Sequence, residues 1–206
     1  MERAVPRRLM PGECLYIAGD RGHRLHLVLR GALKLTGSAG AGSESILFLA
    51  VPGELVGDVA AVDGRHQPLD AVAAGQVVVL GLDAELFEAA LARSAPAALE
   101  LVRLMAGRIR WMSDATVDRA TSAVPARLAG RLLDLADLLG RYEDDEVEIQ
   151  LPLGQRDLGR LAGMCRESTC KTLRAFRSQG LVDYRGRRLR ILRPDALRRI
   201  RCSGRI

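Results

Sequence analysis

The segment "GMCRESTCKTLR", residues 163–174, concentrates side chains that could do chemistry. It carries two thiols, an Arg-Glu pair and further basic residues within one helical length, and a thiol site, a metal site and a face for an acidic partner all compete as interpretations. Cys165 and Cys170 lie about 140° apart round a helix, so they cannot form a disulfide without unwinding it. Either could still be a single redox-responsive thiol, because a helix N-terminus and nearby arginines favour the thiolate.

Other reactive residues are dispersed along the chain. Its cysteines show no CxxC spacing, which predicts free thiols in a reducing compartment: Cys14, Cys165, Cys170 and Cys202. Four residues could ligate a haem iron by residue type only: Cys14, His23, His26 and His66. The competing interpretation is that the histidines are exposed or half-buried residues of a β domain. The glycine-rich segment 37–45, "GSAGAGSES", lacks the ending of a phosphate-binding loop. We therefore predict no enzymatic activity, no metal and no cofactor.

Charge is distributed unevenly. The net charge is +6, yet residues 1–119 hold 13 Lys/Arg against 14 Asp/Glu, and residues 154–206 hold 15 against 4. A basic C-terminal module on a near-neutral body is typical of proteins that bind the phosphate backbone of nucleic acid. No apolar run approaches the ~20 residues of a membrane span, and the N-terminus lacks a signal peptide. These features predict a cytoplasmic protein with no membrane partner.

Residues 11–82 read as short strands separated by glycine turns, which predicts a small antiparallel barrel or roll without helices. From Asp83 a short helix and then a long helix, residues 96–119, follow. Apolar residues on the long helix step by three and four, which predicts the seam of a homodimer: Val102, Met105, Ile109, Met112 and Thr116. Three others fall to one side and are expected on the roll: Leu101, Leu104 and Trp111.

The C-terminal part reads as a winged module. A hinge at residues 120–124 precedes a helix that begins at Pro125, an acidic turn "RYEDDE", a strand "VEIQLPL" and two short helices around Gly163. A two-stranded wing with its turn at 185–188 and a helix from Pro194 close the chain. The predicted fold is α+β, with domains at 1–95 (β-roll), 96–119 (dimerisation helix), 120–124 (hinge) and 125–206 (winged helix-turn-helix).

Residues 155–174, "QRDLGRLAGMCRESTCKTLR", have the pattern of a helix-turn-helix. Gly159 is the small residue where the helices cross, Gly163 is the turn, and apolar positions lock the pair: Leu158, Leu161, Met164, Thr169 and Leu173. Polar residues on the outside could contact bases and phosphates of double-stranded DNA: Gln155, Arg166, Glu167, Ser168, Lys171 and Arg174.

With these motifs, the chain resembles the superfamily of the cyclic-AMP receptor protein and the fumarate and nitrate reduction regulator, which are homodimeric bacterial transcription factors. "PGECLYIAGDRGHRLHLVLRGALKL" is similar to the first strands of their sensor roll, and "GMCRESTCKTLR" to their recognition helix. The resemblance implies that Arg166, Glu167 and Lys171 touch base edges, that the dimer binds a palindromic site, and that RNA polymerase is a further partner.

The resemblance also bears on the effector. Members that bind cyclic AMP carry a Gly-Glu pair and, further on, an arginine that holds the cyclic phosphate. Here Gly57 and Asp58 keep the first pair in shortened form, but Pro68 and Leu69 stand where the arginine is expected, and of two helix hydroxyls only Ser113 remains, after Met112. We expect a degenerate pocket and a regulator whose effector is unknown or absent. A cyclic-nucleotide-gated regulator and a redox- or haem-responsive sensor are the alternatives.

Overall fold

The computed structural model describes residues 6–38, 44–150, 153–186 and 188–205. Parts of three predicted features lie outside these ranges: residues 39–43 of the glycine-rich segment, 151–152 of the strand "VEIQLPL", and Arg187 of the wing turn. The chain divides into two compact units, Met1–Met112 and Ser113–Ile206.

The first unit contains two four-stranded antiparallel sheets, ordered β1-β8-β3-β6 and β2-β7-β4-β5. Their strands are β1 (Pro6–Leu9), β2 (Cys14–Tyr16), β3 (Arg24–Arg30), β4 (Leu33–Ser38), β5 (Glu44–Ala50), β6 (Leu55–Val56), β7 (Asp70–Ala73) and β8 (Val77–Asp83). Alternate side chains from both sheets form one apolar core that includes Leu9, Val28, Leu33, Val56 and Val79. Burying each such side chain fully contributes about 1.5–3 kcal/mol, so the strand pattern itself drives closure of the roll.

A short helix, α1 (Asp58–Asp63), interrupts the strands between β6 and β7. The prediction that residues 11–82 contain no helix was therefore wrong. Gly57 and Gly64 flank the helix with φ values of 79° and 67°, a left-handed conformation that glycine adopts without strain. Six residues are too few to show a helical period in the sequence.

Two helices follow the roll, α2 (Ala84–Arg93) and α3 (Ala95–Thr121). Asp83 caps α2 by accepting a hydrogen bond from the backbone N–H of Glu85 at 3.0 Å. The helix α3 has 27 residues and runs into the segment predicted as a hinge. Because α4 (Val124–Leu139) begins directly afterwards, only Ser122 and Ala123 of residues 120–124 are not helical.

The second unit contains the expected helices and wing. After α4 come β9 (Gly140–Glu143), β10 (Glu146–Gln150), α5 (Gln155–Ala162), α6 (Arg166–Ser178), β11 (Val182–Arg185), β12 (Arg188–Ile191) and α7 (Pro194–Ser203). The four strands form one antiparallel sheet in the order β11-β12-β10-β9. The segment "RYEDDE" is consequently a hairpin and not only a turn, since just Asp144 and Asp145 connect its strands. The core of this unit contains fully buried side chains of α4, α5 and α6, among them Leu128, Leu132, Leu158 and Phe176.

Candidate nucleic-acid interface and ligand cavity

The two helices of the predicted motif meet at Gly159. A Cβ atom there would lie 2.5 Å from Oγ1 of Thr169 and 3.1 Å from the carbonyl oxygen of Met164, so only glycine allows this approach. Gly163 ends α5 in the left-handed conformation, with φ of 61°. The hydroxyl of Thr169 is itself fixed, because it donates to the carbonyl oxygen of Cys165 at 2.8 Å. The roles predicted for both glycines are confirmed.

The helix α6 has two distinct faces. Its buried face packs into the unit through Thr169, Thr172, Leu173 and Phe176. Its exposed face includes Arg166, Glu167, Lys171 and Arg174, and these four residues are named here the α6 outer face. At about 100° per residue these four side chains fall within an arc of about 140°, opposite the buried residues. The arrangement presents three cations and one carboxylate together to solvent.

The remaining predicted contacts lie beside that face. Gln155 is the first residue of α5 and is exposed, and its Oε1 atom lies 3.3 Å from Sγ of Cys170, which joins α5 to α6. Ser168 is partly buried, with Oγ 3.2 Å from Sγ of Cys165. Gln155 and Arg174 line one small cleft together with Arg177. Arg177 was not among the predicted DNA contacts, although it follows Arg174 on α6 by three residues, a helical spacing that the sequence shows.

Cys165 precedes the first residue of α6 and is exposed. Its thiol pKa is lowered by the hydrogen bond with the Ser168 hydroxyl, by the Ser168 backbone N–H and by that of Glu167. We expect iodoacetamide to alkylate Cys165 several-fold faster than the partly buried Cys170 near neutral pH, as measured by mass mapping. The variant Ser168→Ala should slow Cys165 while leaving the exposed Cys14 as an unchanged internal control; an unchanged Cys165 rate would contradict the assignment.

The end of α3 packs against the helix-turn-helix. A Cβ atom on Gly163 would lie 2.6 Å from Nε of Arg119, so the arginine covers the turn. Arg131 of α4 is buried and pairs with Asp118 of α3, the residue before Arg119, at 3.0 Å and with Asp134 at 2.7 Å. Neither arginine was predicted to matter, because their contacts join separate elements.

The first unit encloses a cavity of about 430 Å³ between the roll and α3, named here the roll cavity. Five of the six residues predicted for the effector pocket line it: Gly57, Asp58, Pro68, Leu69 and Met112. Ser113 does not line it and is exposed. Arg65, a cation three residues before Pro68 in the sequence, is also outside the lining and exposed.

A cation that the sequence did not suggest does reach the cavity. Arg108 of α3 donates to both carboxylate oxygens of Asp58, at 2.8 and 2.7 Å, and to the carbonyl oxygen of Leu55. Its guanidinium carbon also lies 5.0 Å from the ring centre of Phe48, and Phe48 in turn meets Trp111 edge to face at 5.9 Å. The lining of the roll cavity thus contains an internal ion pair.

The predicted dimer seam forms a partly exposed apolar stripe on α3. Val102 and Ile109 are 60% and 65% exposed, Met112 and Thr116 are exposed, and Met105 is partly buried. Leu101, Leu104 and Trp111 are each partly buried on another side of the helix. Val102 and Ile109 are the most exposed apolar members of the stripe, and Met105, Ile109 and Met112 also line the roll cavity.

His26, one of the haem candidates by type, lies on β3 with a ring nitrogen, Nδ1, buried and without a partner among the described residues. Burial, and then Arg7 and Arg24, lower its pKa from 6.5 to about 4. In the described part of the chain no three histidine, cysteine or acidic side chains are placed to hold a metal ion.

The lowered pKa of His26 predicts a pH effect on stability. The unfolded chain takes up a proton near pH 6.5 while the folded chain does not until about pH 4, so the free energy of unfolding should fall as the pH drops through this window. Allowing for partial solvent access, the loss is about 2 kcal/mol. In His26→Phe, the free energy of unfolding measured by denaturation at several pH values should fall less over this pH window than in wild type, by that amount. An equal fall in both proteins would show that His26 contributes nothing to the pH dependence.

No helix in the described ranges has the length and apolar character needed to cross a bilayer. An antiparallel β-roll with a ligand-sized cavity, followed by a long helix and a winged helix-turn-helix, defines a sensor-linked DNA-binding protein. Comparison with known proteins agrees: residues 6–94 match the cyclic nucleotide-binding domain family, and residues 126–200 match the Crp-like helix-turn-helix domain family.

Similar proteins span almost the whole chain. A CRP-like cAMP-activated global transcriptional regulator of Mycobacterium tuberculosis is 25% identical over 95% of this chain and 90% of its own. The fumarate and nitrate reduction regulatory protein of Escherichia coli K12 is 25% identical over 96% of this chain and 78% of its own. FixK2 from Bradyrhizobium japonicum shares the fold, with a TM-score of 0.85 at 21% identity, covering 95% of this chain and 96% of that one. The chain belongs to the Crp-Fnr superfamily and is a DNA-binding transcription regulator of that type.

Proposed function

We propose that the protein acts as a homodimer, binds a palindromic DNA site through α6, and does so without cyclic AMP. RNA polymerase is a further partner in this proposal, the cytoplasm is the place of action, and the chain catalyses no reaction. The observation that carries the proposal is the α6 outer face. Three cations and a carboxylate stand together on one exposed helix, whose opposite face is locked into the unit.

The chemistry of that face fits the major groove. Arg166 can donate two hydrogen bonds to a guanine edge, and Glu167 can accept one from a cytosine amino group. Lys171 and Arg174 can reach base edges or phosphates, and Gln155 at the N-terminus of α5 suits a phosphate. The excess of Lys and Arg over Asp and Glu in residues 154–206 supplies an attraction to the DNA phosphates that does not depend on the base sequence.

The exposed stripe on α3 supports the homodimer. Apolar side chains at Val102, Ile109 and Met112, spaced by seven and three residues, suit the seam between two parallel copies of the helix. A two-fold dimer would present two copies of α6, and two half-sites about one DNA turn apart would match them. The full chain should sediment at twice its monomer mass, and Val102→Asp should shift it toward the monomer.

The roll cavity supports independence from cyclic AMP. Its cation, Arg108, is already neutralised by Asp58 at two short hydrogen bonds. A cyclic phosphate would have to displace that carboxylate and leave it buried without a partner, which costs several kcal/mol. Pro68 and Leu69 supply neither a charge nor a side-chain hydrogen-bond donor to replace it.

DNA binding is tested by selecting bound sites from a random pool with the full chain and then titrating the selected site. Arg166→Ala should weaken specific binding by about 5- to 100-fold, since a bidentate base contact is worth about 1–3 kcal/mol. Binding to unrelated DNA should remain, with its steep salt dependence. Arg198→Ala removes one charge from exposed α7 and serves as the matched control, with equal small effects on both DNAs.

An equal loss of specific and non-specific binding in Arg166→Ala would overturn the recognition role of α6. Cyclic-AMP independence is tested separately, by calorimetry with cyclic AMP and cyclic GMP and by DNA titrations with each. Heat of binding at micromolar nucleotide, together with raised DNA affinity, would contradict that part of the proposal.

A further inference from the structure

We propose that the roll cavity binds an uncharged, apolar small molecule as the effector of this regulator. The proposal rests on the proposed function only in calling the molecule an effector. Binding itself depends on the cavity and is measured without DNA.

The size and lining of the roll cavity suit such a molecule. Its volume of about 430 Å³ falls within the range of small-molecule sites in proteins. Strands of the sheet β2-β7-β4-β5, together with α1 and α3, contribute to its lining, and most of the lining side chains are aliphatic or aromatic. Among them are Leu35, Phe48, Val59, Val62, Leu69 and Met105. Apolar surface of this kind gains free energy when a ligand displaces its water.

The charges in the lining disfavour an anion. The charged residues of the described lining are Asp58, Asp63 and Arg108, which leave the cavity one negative charge in excess. Asp58 is only 2% exposed, and it holds the 15%-exposed Arg108 through both carboxylate oxygens. Burial raises the pKa of the Tyr16 hydroxyl, so that side chain adds no further charge at neutral pH.

The guanidinium of Arg108 is already engaged within the protein. Its terminal nitrogens donate to Asp58 and to the carbonyl oxygen of Leu55, and Nε is buried. A ligand anion would therefore have to displace one of these acceptors. Because the lining is mostly apolar and carries one negative charge in excess, a ketone on an apolar skeleton suits the site better than a carboxylate does.

The ligand class is tested on the full chain with prodan, an uncharged naphthalene ketone whose emission shifts to the blue in apolar sites. Prodan should bind saturably with one site per chain. Two competitors on the same ring system then separate charge from shape: 2-acetylnaphthalene is neutral and 2-naphthoate is an anion near neutral pH. We expect the neutral competitor to displace prodan at concentrations at least tenfold lower than the anion.

A variant locates the binding. Val62 is half exposed on α1 and lines the cavity, so Val62→Trp adds bulk at the cavity without disturbing the core. It should weaken prodan binding at least tenfold while leaving the thermal midpoint within a few degrees of wild type. Leu86→Trp is the matched control, because Leu86 is exposed on α2 of the same unit and is outside the cavity lining; it should bind prodan as wild type does.

Three results would overturn the proposal: no saturable prodan binding, equal or tighter binding of 2-naphthoate, or prodan binding unaffected by Val62→Trp. Displacement of prodan by cyclic AMP would overturn it as well and would also contradict independence from that nucleotide. A chain that binds prodan as expected but selects no DNA site would instead refute the proposed function alone.

Discussion

Replacing Arg108 with methionine is expected to destabilise the first unit by about 3–5 kcal/mol. The substitution keeps much of the side-chain volume but leaves the Asp58 carboxylate, 2% exposed, as an uncompensated charge. Trp111 is the only tryptophan of the chain and packs on Phe48 in this unit, so its fluorescence during urea denaturation reports the effect directly.

Two further variants separate charge from packing. In the double variant with Asp58→Asn, no buried charge is left behind, so most of the lost stability should return. Arg103→Met is the matched control on the same helix: its pair with Glu100 is largely exposed and should contribute about 0.5 kcal/mol or less. If the single and double Arg108 variants were equally unstable, the ion pair would not be the cause.

Arg131→Met is expected to destabilise the second unit by about 2–4 kcal/mol. Arg131 is 3% exposed and is the shared partner of Asp118 and Asp134, which are each about one-fifth exposed. Removing it leaves two carboxylates close together in a partly dry site, and partial water access places the loss below that of a fully buried pair. Burial already raises the pKa of Asp134 above its usual range.

The matched control for Arg131 uses the same acid. Arg201 also pairs with Asp134, at 3.2 Å, but it is partly exposed on α7, so Arg201→Met should cost about 0.5–1 kcal/mol. Circular dichroism during thermal unfolding measures both variants. Equal losses of stability in the two variants would show that the burial of Arg131 does not strengthen the contact between α3 and α4.

The Arg108–Asp58 pair belongs to the first unit, and the Arg131–Asp118 pair belongs to the second. Each pair includes one residue of α3, namely Arg108 and Asp118. One fixes α3 to the roll beside the cavity, and the other fixes its last turns to α4. A ligand that alters the contacts of Arg108 therefore acts on the same helix that carries the predicted dimer seam.

The sequence by itself determined the parts that depend on local spacing. The helix-turn-helix and the outer residues of α6 were predictable because glycines at 159 and 163, with apolar residues at helical intervals, leave few other arrangements. The alternation of strands and glycine turns predicted the roll in the same way. The six-residue helix α1 and the strand β9 were missed because short segments carry no periodicity.

Only the tertiary structure decided what the cavity contains. Asp58 and Arg108 are 50 residues apart, and Asp134 and Arg201 are 67 apart, so no local pattern could pair them. From the sequence, the loss of an arginine near Pro68 indicated a pocket without a cation. The fold brings another arginine, Arg108 of α3, into the cavity lining and neutralises it with Asp58, because a buried charge is stable only beside its counter-charge.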